Sequence, residues 1–175
     1  MKIEKLIVAG HGEHGKDEFC KILGLPFKSS SEIALDEVIW PLWGKFQGYV
    51  DKQECFDDRR NNRSTWFDLI VAYNTPDKAR LGRKIFEQCD IYCGNRSVEE
   101  FNILREEGAF DLSVWIDASL RLPPEPSSSC TITPDMCNMV INNNGSLDEF
   151  KRKVLAFKMV VGLWYSKTFR TTRLE

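Results

Sequence analysis

No charge of either sign dominates this chain. Its 24 Lys plus Arg are matched by 26 Asp plus Glu, a formal net charge of -2. That balance excludes the global basicity of a protein that wraps a nucleic acid polymer through its phosphates, and leaves only local basic patches. Long apolar runs are missing as well. No stretch approaches the roughly 18 residues of a membrane span, and the short run after Met1-Lys2-Ile3-Glu4-Lys5 leads into glycines rather than a cleavage site. A cytoplasmic protein without a membrane partner is expected. Without a leader, the six cysteines (Cys20, Cys55, Cys89, Cys93, Cys130 and Cys137) read as reduced thiols. The spacings from Cys89 to Cys93 and from Cys130 to Cys137 do not suit zinc, and the only histidines lie far upstream, so no structural metal is expected. What remains is 175 residues, 42% of them apolar, which suits a single domain over residues 1–175.

Lys5-Leu6-Ile7-Val8-Ala9 is a β-branched apolar run that stops at Gly10, a buried strand entering a tight loop. From Lys16 the positions Phe19, Cys20, Ile22 and Leu23 recur at helical spacing until Gly24 and Pro26. Ser29 with Glu32 predicts a capping box and a helix that Pro41 terminates. Arg63 to Tyr73 reads as helix. Thr75-Pro76 reads as an N-cap with proline at the first helical position, ahead of a helix over Ala79 to Gln88. Ile91-Tyr92-Cys93 reads as a strand ending at Gly94. Ser97 with Glu100 predicts a second capping box, on a helix stopping at Gly108. Leu112 to Ile116 and Met139 to Ile141 read as strands, with a Pro- and Ser-rich loop between them through Pro123, Pro124, Pro126 and Ser127 to Ser129. Ser146 and Glu149 cap a last helix with Phe150, Val154, Phe157, Val161 and Trp164 on its apolar face. Strands alternating with helices predict an α/β fold of three layers: a central parallel sheet with helices on both faces.

Gly10-His11-Gly12-Glu13-His14-Gly15-Lys16 fits G-x-x-x-x-G-K and lies between a buried strand and a helix, where that motif works. Its glycines let successive N–H groups converge on phosphate oxygens, the helix N-terminus adds positive potential, and Lys16 reaches the outer phosphates. The ligand this predicts is a nucleoside triphosphate. Asp17 and Glu18 follow the lysine in place of the usual hydroxyl residue. Asp17 is either a Mg²⁺ ligand or an acid interacting with the helix dipole. His11 and His14, the chain's only two histidines, are expected to donate to phosphate or face solvent rather than act as bases.

Eight of the eleven arginines (Arg59, Arg60, Arg63, Arg80, Arg83, Arg96, Arg105 and Arg121) fall between residues 59 and 121. Guanidinium groups bind phosphate bidentately, so this bias suits transfer between two phosphate-bearing molecules. Arg105, beside Glu106 and Glu107, is the expected exception, a solvated surface charge. A phosphate acceptor is already anionic and needs no catalytic base, which fits a chain whose histidines are confined to one loop. Trp66 is either a base-stacking face or core.

Five blocks together resemble the phage-type deoxynucleoside monophosphate kinases of the P-loop nucleoside monophosphate kinase group. They are Gly10 to Asp17, Asp58-Arg59-Arg60-Asn61-Asn62-Arg63, Asp90 to Ser97, Val114-Trp115-Ile116-Asp117, and Val140 to Leu147; the last is also similar to dephospho-coenzyme A kinases. The resemblance implies the P-loop kinase fold and phosphorylation of a (deoxy)nucleoside monophosphate by ATP with Mg²⁺, in the cytoplasm of a host cell where the gene is a phage's. It implies an acceptor-binding helical segment at about 30–88 and a cover loop at about 118–135. Lys16, Arg96 and Arg121 would be catalytic, Gly10 to Asp17 would hold the ATP phosphates, and Arg59, Arg60, Arg63 and Arg96 would hold the acceptor. Asp17 and Asp117 would hold the metal, and a homodimer is compatible. Two alternatives stand beside this reading: another small-molecule P-loop kinase, such as one acting on dephospho-coenzyme A, and a noncatalytic nucleotide-binding protein. A GTPase is disfavoured, because Asn142-Asn143-Asn144-Gly145 lacks the lysine and aspartate of a guanine-reading loop.

Overall fold

The computed structural model describes residues 3–127 and 129–162; Ser128 and Trp164 lie outside the described residues. Five strands, β1 (Leu6–Ala9), β2 (Phe27–Ser29), β3 (Ile91–Asn95), β4 (Leu112–Asp117) and β5 (Met139–Asn142), form one sheet in the order β2-β3-β1-β4-β5. Every pairing is parallel. A parallel sheet must be covered on both faces, and the side chains of β1 divide accordingly. Leu6 and Val8 pack with Phe19 and Leu23 of α1 (Lys16–Leu23) and Phe150 and Val154 of α8 (Leu147–Val160). Ile7 and Ala9 face the opposite core. There Ile33 of α2 (Ser30–Ala34), Trp66 of α5 (Arg63–Asn74), Ile85 of α6 (Arg80–Gln88) and Phe101 and Leu104 of α7 (Val98–Glu106) gather. The result is the three-layer α/β architecture. Fully burying each such Leu, Ile or Phe contributes about 1.5–3 kcal/mol.

β1 lies between β3 and β4, so the chain winds first to one side of it and then to the other. In such sheets the crevice for ligands opens beyond the strands' carboxyl ends at this reversal. The loop after β1 stands there.

Several local expectations need correction. β2 was not expected; it is a short edge strand. The helix begun by Ser29 does not end at Pro41: it passes through a π-helical turn, Leu35–Ile39, into α3 (Trp40–Leu42), which contains the proline. Trp40 N–H donates to Leu35 O, five residues back, and this widened turn makes room for a ring that an α-helical path would push against a carbonyl. A further helix, α4 (Lys52–Asp57), is capped by the Asp51 side chain, which accepts from Glu54 N at 2.9 Å. Thr75 closes α5, with Oγ1 donating to Val71 O at 2.8 Å, rather than opening α6. β3 runs through Gly94, whose φ of 91° places it beside a register shift against β1.

The capping box at Ser146 and Glu149 is reciprocal. At Ser97 only half of one forms: Ser97 Oγ accepts from Glu100 N at 3.3 Å. The Glu100 side chain turns inward instead, where Oε2 accepts from Tyr92 Oη at 3.0 Å and Asn95 Nδ2 at 2.8 Å. Trp66 is core, edge-on to Phe56 with ring centroids 6.2 Å apart. Arg105 is more than a solvated charge, because it donates to Met136 O and its guanidinium lies 4.4 Å from the Phe101 ring centre. All six cysteines are free thiols. Among the described residues no helix is long and apolar enough to cross a membrane.

Candidate active site at the phosphate loop

The loop from Gly10 to Lys16 owes its path to positions a side chain would block. A Cβ on Gly10 would stand 2.6 Å from Ile116 O, and one on Gly15 would stand 2.4 Å from Asn143 Nδ2. Both glycines have positive φ, 142° and 98°, and so does Glu13 at 63°, a left-handed conformation that costs a non-glycine residue free energy. Such strain persists where surrounding structure fixes it, and here three contacts do so. His14 is fully buried and its Nδ1 accepts from Ala118 N at 3.1 Å. Asn143 Nδ2 donates to His14 O at 2.9 Å. Asn143 N donates in turn to Asp117 O at 2.6 Å.

His14 therefore does not face solvent, one of the two expected roles. Its ring is turned inward and pins the loop to the end of β4. His11 stacks edge-on against both His14 and Trp115, at 5.2 Å between centroids in each case. Burial, then the neighbouring His14, lowers the His11 pKa, so this imidazole is neutral near pH 7.

Lys16 is buried, and its Nζ donates to His11 O at 2.5 Å, folding the ammonium back over the loop. Burial first, and then Arg96, lowers its pKa. An anion entering the loop would relieve both effects, since each disfavours a positive charge.

Arg96 sits just past β3. Its partner is Glu125, from the Pro-rich loop: Arg96 Nη1 donates to Glu125 Oε1 at 2.8 Å. The other carboxylate oxygen, Oε2, accepts from Gly12 N at 2.7 Å. Burial opposes ionisation of Glu125, but Arg96, the Gly12 N–H and Lys16 outweigh it and hold the carboxyl below its usual range.

The remaining expected site residues are scattered. Arg60 approaches the loop through Glu13 at 3.9 Å. Arg59 donates to Phe56 O at 3.0 Å and covers that ring, and Arg63 is exposed at the start of α5. Arg121 Nε donates to Asn143 O at 2.8 Å, one residue contact removed from the loop. Asp17 lies in the first turn of α1, with Oδ1 accepting from Cys93 Sγ at 3.2 Å. Asp117, at the end of β4, accepts from Ser119 N at 3.2 Å and Asn144 Nδ2 at 3.1 Å. Burial raises its pKa, yet these hydrogen bonds outweigh that and leave it lowered.

Among the described residues no three His, Cys, Asp or Glu side chains form a complete metal shell. Asp17 and Asp117 are of the oxygen-donor type that Mg²⁺ takes when one or two carboxylates hold the ion and phosphate and water oxygens supply the rest.

Sequence reasoning missed two residues. Asn143 was visible as part of an asparagine run, but not its contact across the fold. Glu125 carried only a weak signal, a single acid between Pro124 and Pro126.

The geometry defines a class: a three-layer α/β protein with a glycine-rich G-x-x-x-x-G-K loop at the carboxyl edge of its parallel sheet. No protein-family model and no curated protein matches the chain. Among solved structures, it is similar to a gluconokinase from Sinorhizobium meliloti 1021, at 15% identity, covering 95% of this chain and 99% of that one with a TM-score of 0.45. It is also similar to TT1252 from Thermus thermophilus, at 14% identity, covering 93% and 98% with a TM-score of 0.41.

Proposed function

We propose that this chain is a phosphotransferase that moves the terminal phosphoryl group of ATP to a (deoxy)nucleoside monophosphate. The observation that carries the reading is the position of Arg96. It flanks the Gly10 to Lys16 loop closely enough for one carboxylate to touch both Arg96 and Gly12 N–H, with contacts of 2.8 and 2.7 Å. A guanidinium that shares an oxyanion with a phosphate loop suits a phosphate acceptor brought against a phosphate donor.

In this reading the loop N–H groups and Lys16 hold the donor phosphates, Asp17 and Asp117 hold Mg²⁺, and Arg96 holds the acceptor phosphate. Arg60 attracts the acceptor from the helical segment at about 30–88, and Arg121 serves from the cover loop at about 118–135. The metal, when bound, neutralises charge on the donor phosphates. The chain's own part is positioning and charge balance, which is most of what phosphoryl transfer requires.

A second reading has its own support. His11 is neutral, and its buried Nδ1 has no hydrogen-bond partner in the described structure. An imidazole of that kind suits removal of a proton from a hydroxyl acceptor, as in a dephospho-coenzyme A kinase. One assay separates the two: ATP consumption with each common ribo- and deoxyribonucleoside monophosphate, and with hydroxyl acceptors including dephospho-coenzyme A. Turnover with a monophosphate at a rate insensitive to His11→Gln is the expected result. Turnover with hydroxyl acceptors alone, lost in His11→Gln, establishes the second reading instead. ATP binding without turnover on any acceptor makes the protein a noncatalytic nucleotide binder.

A further inference from the structure

The strap from Ala118 to Ile132 is fastened at both ends and, in its middle, through Glu125. At one end Ala118 N donates to His14 Nδ1 and Leu120 N to Asn144 Oδ1, at 3.1 and 2.9 Å. At the other, Thr131 N donates to Arg96 O at 2.9 Å, and Cys130 and Ile132 are buried. Between them the described residues from Pro123 to Ser129 all face solvent except Glu125, whose side chain is only 17% exposed. The fit at the loop is close: a Cβ on Gly12 would stand 3.1 Å from Glu125 Oε1, so the carboxylate would have to give by a few tenths of an ångström.

A carboxylate whose two oxygens are taken by a loop N–H and an arginine has the partners that two oxygens of a phosphoryl group would have. We propose that Glu125 is an internal oxyanion occupying a phosphoryl subsite shared by the loop and Arg96, and that a phosphate-bearing ligand must displace it. The inference rests on the phosphate-loop reading above. Carboxylate and phosphate cannot both take the Gly12 N–H, and two anions beside one another repel. Phosphate entry therefore expels Glu125, loosens the middle of the strap and frees Arg96 in one step. The free protein is closed to acceptor phosphate until the donor arrives, and its apparent affinity for polyphosphate is reduced by the fraction of molecules that are latched.

The test is calorimetric titration of the full chain with inorganic tripolyphosphate and, separately, with MgATP. Glu125→Gln keeps the shape and removes the charge; it is expected to bind tripolyphosphate about tenfold more tightly than the parent, with Glu125→Asp in between. Equal or weaker binding by folded Glu125→Gln overturns the proposal. A measurement on the parent alone covers the case in which the variant does not fold. On adding tripolyphosphate, amide exchange is expected to slow in residues 10–16 and to quicken in residues 121–127. Slowing in both segments overturns displacement. MgATP binding with no effect of Glu125 refutes the latch and leaves the kinase reading intact, whereas absence of tripolyphosphate and MgATP binding in parent and variants refutes both.

Discussion

On its β4 and β5 flank, the phosphate loop is held by contacts that need no ligand: His14 to Ala118, Asn143 to His14 and Asn143 to Asp117, all of them buried or at strand ends. On its β3 flank the charged groups are matched by provisional partners. Arg96 faces a carboxylate from a solvent-exposed strap, Arg60 stands 3.9 Å from Glu13, and Arg63 projects from α5. One flank is preorganised and the other awaits a ligand. The difference teaches that, in the proposed reading, a ligand meets a frame on the β4 side that needs no rearrangement, while on the β3 side it must exchange partners with Glu125, which holds both Gly12 N–H and Arg96. It also ranks the effects of mutation, because removing a preorganised charge costs more than removing one that ligand binding must still recruit.

Lys16→Ala breaks the preorganised side and has the largest expected effect. It deletes the buried ammonium and exposes no apolar core, so kcat/KM should fall more than tenfold, towards the roughly hundredfold cost of losing one transition-state charge partner. The melting temperature should stay close to the parent's. Steady-state kinetics on the variant checks this, and activity within about twofold of the parent would falsify the loop assignment.

Behind Arg96, Glu100 offers a test through stability alone. Burial pushes its pKa up to about 7, against the hydrogen bonds from Tyr92 and Asn95. Below the unfolded-state pKa, near 4.3, the group is protonated in both states. As pH rises through about 7 the folded protein must carry a buried charge or keep a proton the unfolded chain has released, and this part of its stability is lost. Glu100→Gln removes that dependence. Relative to the parent it should gain on the order of 2 kcal/mol between about pH 5 and pH 8 in urea denaturation. A stability difference that stays constant with pH would mean that Glu100 ionises normally. His11, whose pKa is lowered, contributes with the opposite sign in the parent and in the variant, so it cancels in the difference.

These residues also show how far the sequence could be read. The β1 strand, the glycine loop, α1 and the Ser146 cap were legible because each is specified by neighbours in the chain: apolar runs, glycines, a serine three residues before a glutamate. Elements set by distant partners were not. Ser97 and Glu100 have the same spacing as Ser146 and Glu149, yet Glu100 turns to Tyr92 and Asn95, because a buried pair across β3 outcompetes the local cap. Pro41 reads as a stop, and the π-turn before it changes that. The site divides in the same way. Its loop and Arg96 were identifiable from the sequence, whereas Asn143 and Glu125 act on residues more than a hundred positions and nearly thirty positions away, respectively.

Arg96→Lys sharpens the comparison on the recruited side. It keeps the charge but loses the planar fork, so KM for the acceptor monophosphate should rise several-fold with a lower kcat, while KM for ATP changes much less. The competing view treats Arg96 as a structural ion-pair partner of Glu125. It predicts a melting temperature lower by several degrees with the monophosphate KM unchanged. Both quantities measured on one preparation decide between them.

The smallest expected effects separate Arg60 from Arg63. Both lie in the acceptor-side cluster, but only Arg60 has a partner in the loop, Glu13, and at 3.9 Å with both side chains more than two-thirds exposed the pair adds almost nothing to stability. In the proposed reading its role is electrostatic attraction of the incoming anion, which is screened by salt within a Debye length of about 10 Å at 0.1 M. Arg60→Ala should raise the monophosphate KM by about two- to threefold at low ionic strength, and the difference should disappear in about 0.5 M salt, while Arg63→Ala stays within about twofold throughout. Equal effects of the two substitutions, unchanged by salt, would show that the cluster acts as an undivided surface and that proximity to Glu13 does not select Arg60.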